Sequence, residues 1–226
     1  MAWLLDVYRS AIFKKAVMAV SGLMLFGFVL THMLGNLKLY FGPEEINNYA
    51  EWLRTIGKPA LPKNGALNIA RVGLLAAVFL HIWSAWQVTR LSRKARPQKY
   101  VKQATIQATY ASRTMRWGGV IVLLFIVYHL LHLTLGVVGP EGFEYGDVYN
   151  NVVLGFRNPL ISGFYILANL ALGLHLYHGL WSLFQSLGLN HPSYRALRRP
   201  IALAFASVVT LGNISFPLAV LSGVVG

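Results

Sequence analysis

The sequence contains no cysteine. This excludes disulfide frameworks, thiolate metal sites and covalent c-type haem attachment through Cys-x-x-Cys-His. It also excludes a bound iron–sulfur cluster, because such clusters need cysteine thiolates. Charge is scarce too, since only 12% of the residues are charged and 7 acidic residues stand against 20 Lys and Arg. A soluble domain carries about 25% charged residues, so the composition excludes an ordinary soluble protein.

Apolar residues take the place of the missing charge and are arranged in blocks. The chain is 56% hydrophobic with a mean hydropathy of +0.53, and five blocks approach or exceed the ~20 residues that a membrane-spanning helix needs. We therefore predict an all-α fold, a single integral membrane domain over residues 1–226. The predicted helices are Ala16–Leu34, Leu67–Val88, Trp117–Val138, Leu160–Leu187 and Ile201–Val225. The first is too long for a signal-peptide core and lacks a small-x-small cleavage site, so we interpret it as retained.

Positive charge lies on one side of the predicted membrane. Three basic residues precede the first helix, eight lie between the second and third helices, and three lie between the fourth and fifth, with one acid, Asp6. The other side holds six basic and six acidic residues. The positive-inside rule then predicts a multi-pass protein of the cytoplasmic membrane, with a cytoplasmic N-terminus and an outer C-terminus. Because topology accounts for the charge of +13, we do not expect nucleic-acid binding.

The links between the helices carry further signals. On the outer side, Pro43-Glu44-Glu45 predicts the start of a short helix that continues to Ile56. Residues Trp3 to Tyr8 mix apolar and polar types, which is typical of the membrane interface. The fifth helix has no histidine and no charge, so we interpret it as a packing helix.

Histidines inside four of these helices are the central feature of the sequence. They are His32, His81, His129 with His132, and His175 with His178. Histidine in hydrocarbon is costly, and intramembrane ionisable residues usually have a function. Counting residues from the helix midpoints gives the order His32, His129, His175, His81 from the outside inwards. The simplest pairing joins the first helix to the third and the second helix to the fourth, which gives two stacked bis-histidine sites.

Two imidazoles on opposite faces of one iron are the ligands of a low-spin b-type haem. For a single histidine, a hydrogen bond to a neighbouring helix would be an equally good explanation, but four helices at compatible depths favour two haems. His132 and His178 each lie one turn from a better candidate. They favour contacts with a haem propionate, a quinone or another helix, although either could replace its neighbour as a ligand. Small residues either admit a flat macrocycle or serve ordinary helix packing. They are Gly27, Gly35, Gly73, Ser84, Gly118, Gly119, Gly173 and Gly179.

At these residues the chain resembles the cytochrome b membrane-anchor subunit of succinate dehydrogenase and fumarate reductase, in its single-subunit, five-helix, di-haem form. Four stretches carry the resemblance, in order along the chain. They are Ser21-Gly22 through Thr31-His32-Met33, the second helix around His81, Trp117-Gly118-Gly119 through Tyr128-His129-Leu130, and His175-Leu176-Tyr177-His178-Gly179-Leu180-Trp181-Ser182.

The resemblance implies cofactors, partners and a function. The axial ligands of two b haems would be His32, His81, His129 and His175. A flavoprotein subunit would oxidise succinate, and an iron–sulfur subunit would pass the electrons through this anchor to a membrane quinone, with menaquinone as our hypothesis. Ser84, Trp83, Trp86, Gln87 and Arg90 are candidate contacts for quinone or propionate. The basic link Arg90–Arg116 is a candidate docking surface for the iron–sulfur subunit.

Two other classes of function compete with this one. Another transmembrane di-haem protein, such as a b561-like shuttle or the anchor of a different dehydrogenase, would share the haems and differ in its partners. A transporter or proton channel that uses histidine relays would bind no haem at all.

Overall fold

The computed structural model describes residues 10–95, 110–188 and 191–226, and it is helical throughout these ranges except for short connections. The α-helices are α1 (Ala11–Asn36), α2 (Pro43–Thr55), α3 (Gly65–Lys94), α4 (Tyr110–His129), α5 (Val148–Phe156), α6 (Pro159–Ser186), α7 (Pro192–Arg195) and α8 (Arg198–Leu221). A 3₁₀ turn, Leu37–Phe41, follows α1, and a π-helical turn, Leu130–Thr134, follows α4.

Five helices in the described ranges are long and apolar enough to cross a membrane: α1, α3, α4, α6 and α8. The predicted all-α, five-span architecture is confirmed at this level, and the predicted short helix that begins at Pro43 is present as α2. The third span ends four residues earlier than predicted, at Thr134 and not at Val138. Gly136 and Gly139 adopt φ angles of 64° and 111°, which a continuing helix cannot contain.

Local signals explain where the fourth span begins. Asn158 is the N-cap of α6, and its side-chain oxygen accepts hydrogen bonds from the backbone N–H groups of Leu160 and Ile161. Pro159 occupies the first helical position, where its missing N–H costs nothing. The predicted start at Leu160 is therefore correct to within one residue.

The spanning helices pack side by side, α1 against α3, α4 against α6, and α6 against α8. α6 also contacts α1, so α1 and α6 lie centrally and are more buried than α3 and α4. The most buried side chains of α8 include Val209 and Pro217. The prediction that the fifth span is a packing helix agrees with this position.

One end of the bundle, which we call the cap end, carries α2 and α5 in contact with each other. Asn47 of α2 donates to Asp147, the N-cap residue of α5, at 3.0 Å, and it accepts from the Tyr149 backbone N–H at 3.1 Å. Hydrogen bonds from Asn150 and Asn47 hold the pKa of the Asp147 carboxyl below its ordinary value. In α2, a hydrogen bond from Lys63 is the main cause of the lowered pKa of the Glu51 carboxyl. These bonds tie the two long links into one cap.

The opposite end, which we call the basic end, holds the start of α1, the end of α3 and α7. Some sequence predictions for this end lie outside the described residues. They concern the interfacial stretch Trp3 to Tyr8 and residues 96–109 of the basic link. Of that link's basic residues, Arg90, Arg93, Lys94, Arg113 and Arg116 lie within the described ranges.

The contact between α6 and α8 depends on Gly173. A Cβ atom there would overlap the Thr210 hydroxyl and lie 3.3 Å from both Thr210 carbon atoms Cβ and Cγ2. Thr210 is β-branched and therefore stiff. We expect Gly173→Ala to destabilise the protein by about 1–3 kcal/mol, the usual cost of overpacking. Thermal unfolding in detergent measures it. Gly163→Ala on the same helix meets nothing within 4 Å and is the control; equal unfolding temperatures for the two variants would contradict the prediction.

Candidate functional site

Two pairs of histidines face each other inside the bundle. The cap-end pair is His32 on α1 and His129 on α4, whose ring centroids are 5.8 Å apart with an interplanar angle of 85°. The basic-end pair is His81 on α3 and His175 on α6, with centroids 6.2 Å apart at 65°. The structure thus places histidines of the first and third spans side by side, and likewise histidines of the second and fourth spans. These are the pairs predicted from the depths of the histidines.

The rings meet across gaps between helices. Over the described residues, neither α1 with α4 nor α3 with α6 forms an extended helix–helix contact. An imidazole nitrogen lies about 2 Å from a metal ion that it binds, so two imidazoles on opposite sides of one ion have centroids about 6 Å apart. Both pairs have the spacing that a single iron between two imidazoles requires.

Glycines make room for the rings of the basic-end pair. A Cβ atom at Gly22 on α1 would lie 3.2 Å from His81 Cε1, and one at Gly119 on α4 would lie 3.6 Å from His175 Cε1. Gly22 precedes His32 by ten residues and Gly119 precedes His129 by ten. Ten residues span about 15 Å of helix. The repeated spacing therefore has a physical reason: α1 and α4 each give a ligand candidate to one pair and a glycine to the other pair.

The remaining glycines of the predicted set fall into two groups, according to whether an added Cβ atom would meet a neighbouring side chain. A Cβ atom would meet Tyr49 at Gly35, Thr210 at Gly173 and Phe26 at Gly179, so these glycines serve ordinary packing. A Cβ atom at Gly27, Gly73 or Gly118 would meet no described atom within 4 Å, so these positions have space for a side chain.

Three of the four histidines in the two pairs have a hydrogen-bond partner at Nδ1. His81 Nδ1 lies 3.1 Å from the Met18 carbonyl oxygen and 3.5 Å from Ser21 Oγ. Because a carbonyl oxygen can only accept, Nδ1 carries the proton and Nε2 keeps a lone pair for a metal. The Asn36 Nδ2 group donates to His32 Nδ1 at 3.3 Å, because an amide nitrogen cannot accept. The Tyr165 hydroxyl lies 3.4 Å from His129 Nδ1. Each of these bonds fixes the orientation of an imidazole ring.

His175 and His178 differ from these residues. The Nδ1 atoms of both are buried and have no hydrogen-bond partner among the residues that the structure describes. The His178 ring lies edge-on to Trp181 at 5.7 Å, and the Arg199 guanidinium lies 5.5 Å from the centre of the same Trp181 ring. His178 is thus at the basic end, one helical turn beyond the basic-end pair, beside an aromatic ring and a cation.

His132 lies apart from both pairs. It is only 4% exposed, in the π-helical turn, and its Nδ1 is 2.9 Å from the Tyr165 hydroxyl. Its ring fills a space between Gly139 and Gly155, where added Cβ atoms would lie 2.5 Å and 2.6 Å from ring carbons. The small cavity beside it is also lined by Phe143, Asn151 and Leu154, among others.

The other candidates lie along the basic half of α3. Ser84 is buried. Trp83 and Trp86 are 43% and 47% exposed and contact each other at 5.0 Å, and the Arg90 guanidinium lies over Trp86 at 4.8 Å. Such a row of tryptophans beside an arginine is typical of a membrane interface, where the arginine side chain extends toward the lipid headgroups. Among the described contacts, nothing joins Arg90 to a histidine pair.

Tyr165 was not predicted from the sequence, although it is 4% exposed and contacts both His129 and His132. It precedes His175 by ten residues, just as the two glycines precede their histidines. That repeated spacing was the signal that could have identified it.

The profile of the succinate dehydrogenase/fumarate reductase transmembrane subunit family matches residues 89–213, which is more than half of the chain. The matched region includes His129, His132, His175 and His178. It begins at residue 89, after His81. No curated protein and no solved structure matches the chain significantly.

Proposed function

Because the chain belongs to the succinate dehydrogenase/fumarate reductase transmembrane subunit family, a membrane subunit that does not itself act on succinate, we propose that it is the di-haem cytochrome b anchor of such a complex. The observation that carries the proposal is the pair of crossed bis-histidine sites, with centroids 5.8 Å and 6.2 Å apart. Gly22 and Gly119, where a side chain would crowd the rings of His81 and His175, support the fit of a flat macrocycle at the basic-end pair.

In this proposal each residue has a defined task. His32 and His129 hold one b haem, and His81 and His175 hold the other. A bound haem with two imidazole ligands supplies reversible one-electron transfer and leaves no open position for oxygen chemistry. The bond from His81 Nδ1–H to the Met18 carbonyl oxygen keeps Nε2 directed at the metal. Because His178 Nδ1 has no hydrogen-bond partner among the described residues, His178 is a candidate to bind a propionate or quinone oxygen. Ser84 and Arg90 are further candidates for this contact.

Orientation follows from the positive-inside rule. The basic end faces the cytoplasm, where the iron–sulfur and flavoprotein subunits dock, and the cap end faces outwards. The two pairs are separated by about 15 Å along α1, since Gly22 touches one pair and His32 belongs to the other. Electrons from the iron–sulfur subunit thus have a stepped path across the bilayer, and we propose a membrane quinone, menaquinone, as the acceptor.

The proposal is tested on the protein purified from membranes with its natural partners. We expect the pyridine haemochrome assay to give two haems b per chain, and flavin and iron–sulfur subunits to co-purify with quinone-reducing activity. Absence of haem would contradict the proposal and favour a histidine-relay transporter. Two haems without flavin and iron–sulfur partners would instead favour a b561-like shuttle, and two haems with different partner subunits would favour the anchor of another dehydrogenase.

A further inference from the structure

Tyr165 joins two histidines at the cap end. Its hydroxyl lies 2.9 Å from His132 Nδ1 and 3.4 Å from His129 Nδ1. Its ring is also held edge-on by Phe125 and Phe156, with centroids 5.2 Å and 4.9 Å away. The hydroxyl is therefore fixed in place, and both of its hydrogen-bond partners are imidazoles.

The directions of these two bonds follow from the chemistry of the groups. A histidine that binds iron through Nε2 carries its proton on Nδ1, so His129 donates to the Tyr165 oxygen. The single phenolic proton is then left to be donated to His132 Nδ1, which lies at the shorter distance. Each proton has one acceptor, and the chain of bonds runs from His129 through Tyr165 to His132.

His132 is suited to be the end of this chain and not to bind metal. Its ring is enclosed by Gly139 and Gly155 and lies beside Tyr128 at 5.6 Å. The π-helical turn that begins directly after His129 widens the helix here, so that two histidines three residues apart serve different surroundings.

We propose that Tyr165, supported by His132, is the positioning residue of the cap-end site, and that it sets the reduction potential of the haem there. The inference rests on the proposed function. At the basic-end site, His81 donates to the Met18 carbonyl oxygen, but His175, the ligand candidate on α6, has no Nδ1 partner among the described residues. The two sites therefore differ in the hydrogen bonding of the ligands that α4 and α6 supply.

The test is Tyr165→Phe, which removes the hydroxyl and keeps the packed ring. A hydrogen bond from Nδ1–H makes an imidazole a stronger electron donor, which stabilises oxidised iron. We expect the variant to keep two haems and to shift only the cap-end haem toward the reduced form. The ratio of reduced to oxidised haem at a fixed ambient potential should rise about tenfold, which is 59 mV for a one-electron couple.

Redox titration of the purified complex measures the shift, with the cap-end haem identified as the one that the His32→Leu variant lacks. Tyr128→Phe is the matched control, because Tyr128 lies 6.0 Å from the Tyr165 ring in the same cluster, and we expect it to leave both potentials unchanged. His132→Leu removes the acceptor at the end of the chain. It should shift the same haem in the same direction by a smaller amount.

The outcomes separate the two proposals. A wild-type complex without haem contradicts the proposed function. Two haems in the wild type, with unchanged potentials in Tyr165→Phe, overturn the role of Tyr165 alone. A shift of equal size at both haems, or in the Tyr128→Phe control, also overturns it, because a general loosening of the bundle would then be the cause.

Discussion

We expect that replacing His81 or His175 with leucine will remove the same one of the two proposed b haems, and that replacing His32 or His129 will remove the other. Each pair of rings shares a single site, at centroid distances of 6.2 Å and 5.8 Å. A haem that loses one of its two axial ligands is no longer held on both faces. We therefore expect each single variant to keep about half of the haem of the wild type, measured as pyridine haemochrome per chain.

The most specific part of this prediction is which two variants lose the same haem. Reduced-minus-oxidised spectra and redox titration should show that the His81 and His175 variants keep the same haem, with one potential, and that the His32 and His129 variants keep the other. His191→Leu, at an exposed position beside α7, is the control and should keep both haems. If the His32 and His175 variants lost the same haem, or if all four single variants kept two haems, the crossed pairing would be wrong.

Much of this arrangement could be predicted from the sequence because bilayer thickness fixes depth. A spanning helix must place each residue at a depth set by its distance from the helix midpoint. The positions of His32 and His129, and of His81 and His175, were therefore enough to predict which helices face each other. The starts of α2 and α6 were also predictable, since Pro43 and Asn158-Pro159 are local signals. The helices α1 and α4 begin at Ala11 and Tyr110, five and seven residues before the predicted starts at Ala16 and Trp117.

Features that depend on contacts between distant residues could not be predicted in this way. The role of Gly22 depends on the ring of His81, 59 positions further along the chain. The sequence shows that Gly22 and Gly119 precede histidines of the cap-end pair at equal spacing. It does not show that each glycine lies beside a ring of the basic-end pair. His132 and His178 look alike in the sequence, one turn beyond a ligand candidate. The π-helical turn and the glycines around it give His132 a different environment.

The second large effect is expected at Gly22, where leucine should remove the basic-end haem and leave the cap-end haem. Its Cβ atom would lie 3.2 Å from His81 Cε1 and 3.4 Å from Nδ1, and the rest of the side chain needs more space than that. The ring of His81 must then turn away and lose its bond to the Met18 carbonyl oxygen. Gly119→Leu should act in the same way on His175, with a weaker effect at 3.6 Å.

This result would be informative because Gly22 and His32 share α1. A variant that acted by distorting α1 would affect the site to which α1 gives its histidine, which is the cap-end pair. Leucine is also the better helix former, by somewhat less than ~1 kcal/mol relative to glycine, so a weakened helix cannot explain a loss. Gly163→Leu on α6 is the control, because an added Cβ atom at Gly163 meets no described atom within 4 Å. Haem content and the potential of the remaining haem distinguish the outcomes. If Gly22→Leu lost the cap-end haem, the glycine would act through the packing of α1, and its contact with His81 would have no part in holding the macrocycle.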